Sequence, residues 1–122
     1  MMADGLQPKQ PDPINVPSGQ PIQFHEMIAD SQGYGLTLRF RFLAPQIADV
    51  RAASSVEALE RDFAHLCETY ALPRIANTGP QPAAIIISLA EREVPFGEAT
   101  PDVTQIFEAY RLQDGACIWE GF

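Results

Sequence analysis

Four large apolar side chains, Leu36, Leu38, Phe40 and Phe42, alternate with Thr37, Arg39 and Arg41, the clearest repeat in the chain. A period of two predicts a β-strand with its apolar set on one sheet face and both arginines on the other. Pro45 is expected to end it, since proline cannot donate to a ladder. A weaker pattern over 22–28 predicts an earlier strand. Gly33-Tyr34-Gly35 would turn between the two, because glycine reaches positive φ at little cost.

The period then changes. From Ser54 to about Tyr70, the apolar residues Val56, Leu59, Phe63, Leu66, Cys67 and Tyr70 recur in steps of three and four, the stripe of an amphipathic helix. Ser54 and Glu57 have the spacing of a capping box, in which hydroxyl and carboxylate each satisfy an orphan backbone N–H. Glu57 and Arg61 add an i,i+4 pair worth about 0.3 kcal/mol. Pro73 is expected to stop the helix.

Ile85, Ile86, Ile87 and Leu89 form an almost continuous apolar run within 83–90, as in a central strand, with Ile86 partly covered on the second face. Pro95-Phe96-Gly97 and Pro101 mark a loop. Two last strands are expected at 104–112 and 116–122, joined at Gln113-Asp114-Gly115, since Asp-Gly between apolar runs is a hairpin signal. The elements read β-β-α-β-β-β, an α+β fold: a mainly antiparallel sheet with one helix packed on one face. Pro8, Pro11, Pro13, Pro17 and Pro21 crowd residues 1–21, which are expected to be a flexible, poorly packed arm. A single domain over 22–122 follows.

Composition narrows the partners. The 122 residues carry 16 acidic and 8 basic side chains, a formal charge of -8. Nucleic-acid binding needs a dense basic patch, so that class is excluded, and an anionic membrane surface is disfavoured on the same ground. The stretch 91–122 is the most acidic, with Arg92 and Arg111 against seven carboxylates. It is either a solvated face or a docking surface for a basic partner. No run of 18 apolar residues is present to span a bilayer. Met1 to Val16 lacks the apolar core of a signal peptide, so export would need a leader that this chain does not show.

Candidate chemistry is sparse. Cys67 and Cys117 could form one disulfide or remain two buried thiols, and the residues leave both open. Pairing would close a loop of about 50 residues, worth about 4 kcal/mol in the chain-entropy account. His25 lies beside Glu26, a possible general-base pair. Neighbours on a regular strand point to opposite faces, so the two converge only if the strand is irregular. His65 and Cys67 are about 200° apart on the helix and share no face, and His65 reads as a surface residue. No zinc spacing, phosphate loop or Gly-x-Ser-x-Gly elbow is found, so no catalytic, metal or cofactor residues are expected. Arg39 and Arg41 could contact an anion or an acidic partner. Cross-strand pairing, with Glu108 or Glu120 as candidates, is the simpler expectation. Trp119 could anchor a partner, although a lone tryptophan in a small domain more often belongs to the core.

The stretches VPSGQP (16–21), TLRFRFLAP (37–45), CETYALPRIANTGPQP (67–82) and 85–122 resemble an uncharacterised family of small alphaproteobacterial proteins. Members usually begin with a secretion signal, so the resemblance implies periplasmic export and favours a Cys67–Cys117 disulfide. A cytoplasmic protein with free thiols is the alternative. Members sometimes carry the label acetolactate synthase, which does not transfer. A thiamine-diphosphate enzyme needs far larger domains, and the Gly-Asp-Gly with downstream Asn-Asn is missing. Two functional readings follow. The first is a non-enzymatic protein-binding or accessory module of the cell envelope. The alternative is a small hydrolase or ligand-binding enzyme using His25 and Glu26, with Arg39 or Arg41 as anion contacts.

Overall fold

The computed structural model describes residues 13–31, 35–53, 56–75, 78–79, 81–98 and 100–120. Strands β1 (Gln23–Ser31) and β2 (Leu36–Leu43) come first. Helices α1 (Ile47–Ala53) and α2 (Val56–Leu66) follow, and α2 continues through a π-helical turn, Cys67–Ala71, into a 3₁₀ turn, Leu72–Arg74. Strands β3 (Ala84–Ala90), β4 (Gln105–Gln113) and β5 (Ala116–Trp119) complete one five-stranded sheet in sequential order.

The expected α+β class holds, with two departures. The alternation of β2 is followed by a second helix, α1, that the proline at 45 concealed. Pro45 does end the strand, but its fixed φ is compatible with entry into a helix. Three of the four neighbouring pairs are antiparallel, and β2 and β3 run parallel. Parallel neighbours need a crossover of a dozen or more residues, and the helical segment supplies it.

Phe40 and Phe42 of β2 and Ile85, Ile87 and Leu89 of β3 point to the helical side, where they bury Phe63 and Leu66 of α2. Tyr70, in the π-helical turn, packs against Phe24, Phe40 and Phe42 with ring centroids 5.1, 6.5 and 5.3 Å away. Val56 is the exception on the expected stripe: it is 71% exposed. The capping box at Ser54 lies outside the described residues. On the other face Ile86 is half-buried, as the run of isoleucines suggested.

The β4–β5 hairpin turns at Asp114 and Gly115, with φ of 54° and 76°. Two successive positive φ values define the turn whose twist matches a hairpin, and glycine takes the second without strain. Cys67 and Cys117 form a disulfide, with Cα atoms 6.3 Å apart, that ties the π-helical turn to edge strand β5. Among the described residues no helix is long and apolar enough to cross a membrane.

The arm is packed where it is described. Ile14 bridges to Ile22, Val16 joins the core, and Gln20 is buried. Asp62, wholly buried on α2, holds this strap. Its carboxylate accepts from Ser18 N at 2.9 Å, Ser18 Oγ at 2.5 Å and Gln20 Nε2 at 2.9 Å. The expectation of a loose arm through residue 21 is therefore corrected over 13–21, because a buried carboxylate must be hydrogen-bonded and these residues supply the donors. Residues 1–12 lie outside the described residues.

Candidate functional site

Two concavities bring chemistry-bearing side chains together, one on each side of the sheet. The first depends on an irregularity in β1. Phe24 pairs with Phe42 and Glu26 with Arg41, leaving His25 as an extra residue in a β-bulge. A bulge shifts the alternation by one position. Phe24 therefore faces the helices, while Glu26 turns to the open side beside Arg41.

Arg41 is buried, and it donates through Nη1 to Glu26 Oε2 and through Nη2 to the Val94 carbonyl at 2.7 Å. His25 Nε2 lies 3.8 Å from the same Glu26 oxygen. Phe96 covers the arginines, its ring centroid 5.1 Å from Arg39 Cζ and 5.7 Å from Arg41 Cζ. Burial, with Arg41 as the next contribution, lowers the pKa of Arg39 from its ordinary value. His25, Glu26, Arg41, Glu93 and Phe96 border an open depression of about 380 Å³, which Arg39 does not line. The irregularity that convergence of His25 and Glu26 requires is thus present. The arginine partner is corrected, however: Arg41 pairs with Glu26 across β1–β2. Glu108 and Glu120 are engaged elsewhere, Glu120 with Arg111 at 3.3 Å.

The second concavity lies between α2 and the β4–β5 hairpin, on the helical face. Val56, Leu59 and Phe63 from α2 and Ile106 from β4 give an apolar lining to a cleft of about 420 Å³. Glu60 and Glu108 border it and also border an adjoining hollow of about 160 Å³. That hollow is completed by Ala64, Tyr110 and Trp119. Trp119 is half-exposed and donates from Nε1 to Glu108 Oε1 at 2.7 Å. It is not a core residue: β5 is the sheet edge, and its indole borders the hollow. The Tyr110 hydroxyl has a raised pKa, first through burial and then through Glu108, Glu60 and Glu68. Two of these carboxylates, Glu60 and Glu108, border the hollow together with Tyr110.

Asp62, Glu60 and Glu108 escaped the sequence reading as site residues. Asp62 sits at i+3 from Leu59 and i−4 from Leu66, inside the apolar stripe, so its burial had a positional signal. Glu108 had one too, since Ile106, Glu108 and Tyr110 share a strand face. His65 is half-buried, and its carbonyl accepts from Thr69 Oγ1 at 2.7 Å. No cluster of three or more His, Cys, Asp or Glu suited to a metal occurs among the described residues.

Fold and clefts together define a small disulfide-linked α+β domain with a mixed five-stranded sheet. The chain belongs to a family of unknown function, DUF6497, whose family model matches residues 1–122. No curated protein and no solved structure gives a significant match.

Proposed function

We propose that this domain is a non-enzymatic protein-binding or accessory module working in the cell envelope, in the periplasm. The observation that carries the binding role is the α2/β4–β5 cleft. Val56, 71% exposed, borders the larger cleft, and Trp119, 50% exposed, borders the adjoining hollow. Large apolar groups held in water beside a preformed groove are what a partner's side chains bury. The disulfide supports the compartment, because such bonds persist where the surroundings are oxidising.

The test is recovery of the full-length protein, at native level, from an envelope fraction. A discrete stoichiometric complex is expected, and Val56→Arg should dissociate it, because an exposed position tolerates the change while the groove does not. Recovery of the wild-type protein alone, as a monomer, would contradict the reading. Alkylation before reduction in the same extract should leave Cys67 and Cys117 unmodified; labelled thiols would contradict the compartment.

The bulge favours one second reading, a small hydrolase or ligand-binding enzyme using His25 and Glu26 with Arg39 and Arg41. Two arrangements weigh against it: Glu26 Oε2 is held by Arg41, and the Arg41 guanidinium already serves Glu26 and Val94. Hydrolysis of carboxylic or phosphoric esters by the purified protein, lost in His25→Ala, would establish this second reading instead.

A further inference from the structure

The two parts of the α2/β4–β5 cleft share the carboxylates Glu60 and Glu108 and differ in the groups around them. The larger part is lined by Val56, Leu59, Phe63 and Ile106, with Glu60, Glu108 and the cation Arg51 on its border. The smaller part, about 160 Å³, has two carboxylates, Glu60 and Glu108, with the Trp119 indole and the Tyr110 ring. Arg51 does not border the smaller part.

An ammonium or guanidinium group is attracted both to carboxylates and to an aromatic face. The hollow can admit the head of one such side chain, and an apolar neighbour of that residue would then reach the larger part. An acidic segment would meet Glu60 and Glu108 with like charge. An uncharged apolar segment would cover those carboxylates without pairing them, which costs free energy. Trp119 contributes its edge N–H to Glu108, and this fixes the indole at the border of the hollow.

We infer that the cleft takes a basic–apolar segment of a partner protein, with a lysine or arginine side chain seated between Glu60, Glu108 and Trp119 and an apolar neighbour over Phe63 and Ile106. This rests on the protein-binding reading and names the chemistry of its partner. The partner's charge complements the chain's own -8, which would also speed encounter at low salt.

Trp119 is the one tryptophan in the chain, so its fluorescence and its indole N–H resonance report on the hollow directly. The full-length oxidised protein is titrated with three blocked octapeptides alternating Lys–Leu, Gln–Leu and Glu–Leu. The Lys–Leu peptide is expected to shift the Trp119 indole resonance and the amides of residues 56–64. Its affinity should fall at least threefold between low and physiological salt, about as expected for screened surface charges. Glu60→Gln, alone and combined with Glu108→Gln, should weaken it, the pair by about fivefold or more, as expected for the loss of two half-exposed charges. Arg92→Gln, at an exposed residue that borders neither part of the cleft, should not weaken it.

Equal binding by the Gln–Leu or Glu–Leu peptide at these resonances would overturn the basic preference while leaving the cleft a docking surface. Shifts confined to the His25–Glu26 depression would overturn the assignment of the site. Indole shifts that depend on protein concentration without peptide would mean that a second copy is the occupant and overturn the inference. Silence of Trp119 towards all three peptides would do the same. The peptide and salt arms use the unaltered protein, so they stand even if a variant fails to fold.

Discussion

Glu26 meets Arg41 on the open side of the sheet because His25 is an extra residue in β1. The pair is lopsided in exposure: the Arg41 side chain is 9% exposed, that of Glu26 40%. Removing the carboxylate strands a buried cation, whereas removing the cation leaves a carboxylate that water can reach. Glu26→Ala is therefore expected to destabilise the protein by about 2 kcal/mol or more. Arg41→Met, which keeps the packed stem and loses the charge, should cost less. Urea denaturation of both variants checks the order.

The disulfide should carry a large share of stability. Opening a loop that spans a sequence separation of 50 residues is worth about 4 kcal/mol in the chain-entropy account. The net stability of a domain is only about 5–15 kcal/mol. Cys67→Ala/Cys117→Ala, and the wild type in excess reductant, should both lose several kcal/mol in guanidinium titrations. A loss below about 1 kcal/mol would mean the cross-link holds a geometry that packing already fixes.

Asp62 links helix α2 to the strap of residues 13–22. Asn at this site presents an amide N–H₂ among three donors, so at least one contact becomes donor against donor. Asp62→Asn should cost about 2 kcal/mol. Limited proteolysis should then cut within 13–22 faster than in the wild type. Unchanged protection of that segment would show that Val16 and Ile22 hold the strap without the carboxylate.

Tyr110 gives a pH signature. Its folded-state pKa is raised above the ordinary value of 10.0, by burial first and the nearby carboxylates second. Below about pH 10 both folded and unfolded states keep the proton, and this contribution to stability is fully present. Above it the unfolded chain releases the proton first, so stability falls as pH rises through the alkaline range. Tyr110→Phe should flatten that fall. Urea midpoints between pH 8 and pH 11 measure it.

The strands were legible because alternation at 36–42, the isoleucine run and Asp114-Gly115 are local signals. α1 was not, since seven residues carry too few turns for a periodic signal and proline masked its start. The packed strap was hidden for a different reason. Five prolines dominate the composition of residues 1–21, while the order of the strap comes from Asp62, far along the chain. The convergence of His25 with Glu26 needed the bulge, and a bulge is set by pairing with β2 rather than by β1 alone. Whether Trp119 is an anchor or a core residue stayed open in the sequence because burial depends on sheet order, and β5 is an edge. Glu60 and Glu108 lie on different elements, so only the packed hairpin and helix make them one site.

The cleft is the central claim, and a cross-linker placed in it tests that claim most directly. A photoreactive benzoyl-phenylalanine replaces Val56 in the native cell, and in a parallel strain it replaces Met27, an exposed residue on the opposite edge strand. Irradiation should join the position-56 protein to one discrete partner that Lys–Leu peptide displaces, with no such adduct from position 27. No adduct from position 56, or the same adducts from both positions, would contradict the account.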